Sequence, residues 1–208
     1  MNLTEMIARV RQDLHDEDPE QYRWEDSLLA RHITHAVKDF SQACPRETRA
    51  ALATLAGSRD IDVSALTDRI TIEAVEYPAG LFPKRYSRFS LWSDVLTLLV
   101  EEVPDGMDCN IYYGRLHTLD EAGSSIPSQY EDIIATGACG YAATELGSCT
   151  INRVNVGGAG TPEAFLEWGQ TKLTVFRADL KRLTRRLSAS RLYVPDYPAK
   201  SQSMDYGT

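Results

Sequence analysis

Arg69-Ile70-Thr71-Ile72-Glu73-Ala74-Val75 alternates polar and apolar side chains, the period of two that turns one face of a β-strand to a core. The same period returns in Phe89-Ser90-Leu91, Leu96-Thr97-Leu98 and Cys109-Asn110-Ile111-Tyr112-Tyr113. Pro78-Ala79-Gly80, Ser93-Asp94 and Pro104-Asp105-Gly106 separate these runs with turn-forming residues. Residues 58–118 are therefore expected to form an antiparallel meander, a small sandwich or half-barrel. One apolar face of that sheet needs cover from another element.

On both sides of this stretch the apolar period is helical. Leu3, Ile7, Val10 and Leu14 lie on one face of a first segment, with Asn2 and Glu5 placed as a capping pair. Asp16-Glu17-Asp18-Pro19 ends it. A second helix is expected from about Glu25 to Ala43, with Leu29, Ile33, Val37 and Phe40 on one stripe and Pro45 closing it. After Gly123-Ser124-Ser125-Ile126-Pro127 a third helix carries Tyr130, Ile133, Ile134, Gly137, Ala138, Tyr141, Ala142 and Leu146. Its many small residues would let another helix approach closely. Asn155-Val156-Gly157-Gly158-Ala159-Gly160 reads as a hinge, and Thr161 with Pro162 and Glu163 as the start of a fourth helix. There Leu166, Leu173, Leu180 and Leu187 recur every seven residues, with Phe176 and Leu183 between them. Such a repeat marks a seam, either within the bundle or between subunits.

The expected fold class is α+β, mainly α. A helical bundle, from an N-terminal hairpin (1–57) and two longer helices (119–190), carries an inserted small antiparallel sheet (58–118). Past Ser190 the pattern stops. Residues 191–208 read as an extended arm, too short for a core of its own and suited to a partner.

With 208 residues, 43% hydrophobic and 25% charged, the composition is that of a globular protein. No apolar run approaches the roughly 20 residues that span a bilayer, and the acidic, amphipathic N-terminus is unlike a signal or transit peptide. The cysteines, Cys44, Cys109, Cys139 and Cys149, form no CxxC pair, and reduced, buried thiols in a cytosol-like compartment are expected. Net charge is −8, against a general nucleic-acid coat. Its distribution is uneven. Residues 1–30 hold eight acids and three arginines. Between 170 and 191 stand seven bases, Lys172, Arg177, Lys181, Arg182, Arg185, Arg186 and Arg191, against Asp179 alone. An acidic start and a basic end would let like subunits attract head to tail, or let the basic helix touch nucleic acid or an acidic partner.

No catalytic signature stands out. His32 and His35 lie three apart near Asp39, but no second carboxylate-rich helix completes a metal site. Gly157 to Thr161 lacks the lysine of a phosphate-binding loop. Ser124, Ser125 and Ser128 lack a nucleophile elbow. Glu101 and Glu102, as neighbours in an extended strand end, point to opposite faces. No catalytic residue, metal or cofactor is expected.

Leu3-Thr4-Glu5-Met6-Ile7-Ala8-Arg9-Val10-Arg11-Gln12-Asp13-Leu14-His15-Asp16, followed by Tyr22-Arg23-Trp24-Glu25-Asp26-Ser27-Leu28-Leu29, resembles the N-terminal helical hairpin of head–tail adaptor (connector) proteins of tailed bacteriophages. Those proteins also carry a Val-Glu-Tyr-Pro-like strand end, here Val75–Pro78, a Tyr-Tyr-Gly strand, here Tyr112–Gly114, and an Asn-Arg-Val-Asn-Val-Gly-Gly segment, here Asn152–Gly158. The likeness runs from residue 3 to about 188. It implies a structural virion protein, made in the host cytoplasm and placed in the neck as a ring, usually of twelve copies, beneath the portal. The ring would extend the channel for double-stranded DNA, without sequence-specific binding, and seat a tail, stopper or nozzle protein. It also implies an arm that reaches the portal, by position Arg191, Leu192, Tyr193, Val194, Pro195 and Tyr197. The alternative from another class is a nucleic-acid-binding regulator using the basic helix 172–191.

Overall fold

The structure, a computed structural model, describes residues 1–150 and 162–190, with the side chains of 185–190 outside that description. It is mixed α+β. The elements in chain order are α1 (Leu3–Asp13), α2 (Asp26–Ala43), β1 (Arg46–Ala53), β2 (Asp60–Asp62), β3 (Arg69–Glu76), β4 (Tyr86–Ser87) and β5 (Phe89–Trp92). They continue as β6 (Val95–Leu98), β7 (Asp108–Arg115), β8 (Leu119–Asp120), β9 (Gly123–Ser124), a 3-10 turn (Ser128–Tyr130), α3 (Glu131–Thr150) and α4 (Pro162–Ser190).

The Asn2–Glu5 capping box is formed in both directions, each bond 2.9 Å long. The stripe Leu29, Ile33, Val37 and Phe40 of α2 is buried, together with Met6 and Val10 of α1, Ile134 and Ala138 of α3, and Phe176 of α4. These four helices share one core. Trp24, between α1 and α2, is 1% exposed, and its indole N–H donates to the Ala142 carbonyl of α3 at 3.2 Å. Among the described residues no helix is long and apolar enough to cross a membrane.

The sheets hold a second core of Ile61, Val63, Ile72, Val75, Leu96, Leu98, Cys109 and Ile111. One sheet has the order β1-β7-β3-β4, the other β2-β6-β5, and β8-β9 is a small hairpin. All pairings are antiparallel. The chain passes from the first sheet to the second at Arg88, between β4 and β5, which gives two sheets facing one core.

Two expectations need correction. The strands are not a meander: β7, last of the eight-residue strands, lies between β1 and β3. Its residues Cys109, Ile111, Tyr113 and Gly114 are buried, as a central strand requires. The sheet also begins earlier than residue 58. β1 occupies Arg46–Ala53, in the stretch expected to belong with the helices, and none of its residues is fully buried. As an edge strand it carries Arg46, Glu47 and Arg49, charges that guard an open edge.

Candidate functional site

The heptad of α4 meets α3 of the same chain. The helices run antiparallel, and the small residues foreseen in the third helix are the contact points. A Cβ on Gly137 would lie 2.9 Å from the Phe176 ring, one on Gly140 2.8 Å from Leu173, and one on Gly147 2.6 Å from Leu166. Gly169 of α4 answers with a position 2.6 Å from Thr144. Leu173, Phe176 and Leu183 are buried, Leu166 and Leu180 half-buried. The Leu187 side chain lies outside the described residues, as do those of Arg185 and Arg186. So do Asn152–Gly158, Thr161 and the arm residues Arg191, Leu192, Tyr193, Val194, Pro195 and Tyr197.

With the leucines turned inward, the bases face out. Arg177, Lys181 and Arg182 are exposed, Arg182 beside Asp179 at 2.9 Å. Lys172 is half-buried, its ammonium 5.1 Å from the centre of the Trp168 ring. At the other end of the chain Glu17, Asp18, Glu20 and Glu25 are exposed. Asp16 is not. It is buried against Arg11, 2.7 Å away, and Arg11 also holds Asp26 at 2.7 Å and the Trp24 carbonyl at 2.7 Å. Part of the N-terminal negative charge is therefore neutralised inside the fold.

An open groove of about 720 Å³ runs between α2 and α3. The spacing of His32 and His35 turns both toward α3. The His35 ring stacks on Tyr141, centroids 4.1 Å apart and planes 12° from parallel. The Tyr141 hydroxyl donates to Asp39, and burial followed by that carboxylate raises its pKa to about 12. Arg31 donates to Glu145 and, as the largest cause, holds that carboxyl below its usual range. His32 Nε2 lies 2.6 Å from Glu145 Oε2, yet off the direction of a hydrogen bond. Burial lowers the His32 pKa more than Glu145 raises it. A neutral imidazole, an engaged carboxylate and a phenol held protonated make a lock between helices. They do not supply a poised acid–base pair. Among the described residues no cluster of three His, Cys, Asp or Glu is arranged to hold a metal.

His117 is a second lock. Its Nε2 is 3.1 Å from the Cys44 carbonyl oxygen, its Nδ1 is 3.0 Å from that of Ser125, and its backbone N–H donates to Ser41 Oγ at 3.0 Å. The end of β7 is thereby fastened to the end of α2. Cys44, Cys109 and Cys139 are buried free thiols, whereas Cys149 is exposed.

Reading the sequence missed Glu76. Its side chain is 2% exposed, and it accepts from the Tyr112 hydroxyl at 2.6 Å, the Gly80 N–H at 3.2 Å and the Asn110 amide at 3.3 Å. Burial pushes its pKa up, but those donors and Lys84 outweigh it and hold the carboxyl below its ordinary value. The signal was present, since Glu76 and Tyr112 stand in two of the motifs quoted above, on paired strands. No protein-family model matches this chain, and no curated protein matches it.

Proposed function

We propose that this chain is a ring-forming structural subunit of a tailed-phage neck, a head–tail adaptor seated beneath the portal. In this reading α1–α4 form the helical bundle of the ring, the arm from Arg191 onward reaches the portal, and genomic DNA passes through the channel unread. A tail, stopper or nozzle protein would sit below. The observation that carries the reading is the pair of oppositely charged surfaces on one chain. Glu17, Asp18, Glu20 and Glu25 are exposed near the start, and Arg177, Lys181 and Arg182 are exposed along α4. Complementary faces of this kind steer association of like subunits. The sequence resemblance supplies the virion context.

The regulator reading draws less support. α4 is one unbroken helix whose apolar side is occupied by α3.

Sedimentation and negative-stain microscopy of the purified protein, alone and with portal particles from the source virus, test the proposal. Rings of the protein, or rings seated on portals, support it. A dimer that binds DNA with a steep salt dependence would replace it with the regulator.

A further inference from the structure

Among the described residues β1 is the longest open sheet edge. The order β1-β7-β3-β4 leaves its outer side unpaired over eight residues, whereas the other outer strands have two to four. Its backbone groups make no backbone hydrogen bond outside the pairing with β7 among those residues. Short outer strands and charged side chains both protect a sheet from unwanted pairing. β1 has charges only in its first half, Arg46, Glu47 and Arg49, and Ala50-Ala51-Leu52-Ala53 carries none. Ala50 and Leu52 are half-buried at the rim of the sheet core, while Ala51 and Ala53 are exposed and small. A strand laid along this edge would find backbone partners, an apolar rim on one face and room on the other.

The helices bring the end of α4 to the start of this strand. His35 stacks on Tyr141, and Phe40 meets Tyr130 just before α3, so α2 runs antiparallel to α3. α4 is antiparallel to α3 as well. α2 and α4 therefore point the same way, and the Thr184 hydroxyl donates to the Ala43 carbonyl at 3.3 Å. From Ala43 the chain passes through Cys44 and Pro45 into β1. α4 continues six residues past Thr184 to Ser190, roughly 9 Å. The chain past Ser190 thus starts at the end of the bundle from which β1 departs.

We propose that residues 191–197 of the free subunit add to the β1 edge of the same chain as a further strand. Tyr193, Val194 and Tyr197 favour strands, and Leu192 and Val194 share a face, two apart as Ala50 and Leu52 are. Successive N–H groups of a strand point to opposite sides. With Leu192 and Val194 donating to β1, Pro195 faces outward, where its missing donor costs nothing, and Pro198 ends the pairing. The added strand is then an outer strand carrying proline, which accepts no further partner. Charge does not oppose it, since residues 191–197 hold Arg191 and Asp196 and are neutral. The tether selects the chain's own arm, because attachment gives an effective concentration of roughly millimolar, far above that of separate subunits in dilute solution. This contact does not depend on the ring reading. In a neck, the portal would compete with β1 for the same residues.

Hydrogen exchange of the full chain tests it, with mass spectrometry of peptides covering 46–53 and 191–197 over a range of subunit concentrations. Val194→Pro removes a donor aimed at β1, and Leu192→Pro is a second variant of the same kind. Tyr206→Pro, outside the strand, is the control. All three positions lie past the end of α4, so unfolding midpoints should match the parent.

The outward amides of β1 should exchange at least tenfold faster in Val194→Pro and Leu192→Pro than in the parent or Tyr206→Pro, at every concentration. Equal exchange of β1 in the parent and both variants overturns the contact without touching the ring reading, whose readout is ring formation. Protection of β1 that appears only as concentration rises would mean that a second copy supplies the strand, and overturns pairing within one chain. Protection lost equally in Tyr206→Pro would place the contact at the far end of the arm and also overturns the assigned strand.

Discussion

Arg11 shows how one residue can decide a local structure without announcing itself. In the sequence it is one base in an acidic segment. In the fold it is 5% exposed and joins α1, the connection after it and the start of α2. Arg11→Met would leave Asp16 buried without its cation, although the Arg23 N–H still donates to it at 2.8 Å. Breaking such a pair costs about 3–5 kcal/mol, and a loss near the lower end should be seen in denaturant unfolding. The histidines set a separate sensitivity to pH. His32 and His117 both have pKa values lowered from 6.5, each chiefly by burial. The unfolded chain therefore takes up protons near 6.5 that the native chain resists, so stability is full above that value and falls as pH drops below it. The lowered carboxyls Glu76 and Glu145 act with the same sign but start from 4.5, so between about 4.5 and 6.5 the histidines dominate. Unfolding free energies at pH 7.5 and 5.5 should show the loss, and His117→Asn should reduce its pH dependence. Stability unchanged between those values would contradict the buried, neutral assignment.

At the scale of elements, α3 and α4 approach closely because glycines leave room for Phe176, Leu173 and Leu166. Gly169→Ala is the informative change. Helix preference alone would favour alanine by about 1 kcal/mol. The new Cβ would meet the Thr144 amide nitrogen at 2.8 Å and the Gly140 carbonyl oxygen at 3.0 Å, backbone atoms that cannot rotate away. Overpacking of this kind costs about 1–3 kcal/mol, so the variant should be less stable despite the better helix former. All four helices were legible, because their apolar periods and the Asn2 cap are local signals. So were β3, β5, β6 and β7, through their alternation. β1 was not: Arg46-Glu47-Thr48-Arg49-Ala50-Ala51-Leu52-Ala53 has small or charged side chains, and it becomes a strand by pairing with β7 over its whole length. Nor was the place of β7, since strand order is a property of long-range pairing. The groove was half legible. The His32–His35 spacing was visible, but Tyr141 and Glu145 arrive from an element a hundred residues away. Nor was the exposure of Phe82 and Trp92, 98% and 86%, legible, because an apolar residue in a sequence reads first as core.

At the scale of the whole molecule, the proposed meeting of like subunits through opposite charges can be tested with salt. Contact between the exposed acids of the 17–25 segment and the bases of α4 is Coulombic across water. It should weaken steadily as the Debye length falls from roughly 10 Å in 0.1 M salt to roughly 3 Å in 1 M. A contact made by burial of apolar surface would behave differently, since salt does not screen it and sulfate strengthens it. Lys181→Glu with Arg182→Glu should therefore slow assembly at low salt and have little effect in 1 M salt, where the wild-type attraction is already gone. Adding Glu17→Lys and Glu20→Lys should restore the low-salt rate if these surfaces face one another, since reversing both sides recovers the attraction. Restoration by the quadruple variant is the decisive readout, because a general gain of negative charge would slow assembly without being rescued by changes at those two positions. Light-scattering traces of assembly at 0.1 M and 1 M chloride, followed by the same series in sulfate, separate a charged contact from an apolar one. Assembly indifferent to chloride would assign α4 to another partner and leave the ring to its apolar contacts.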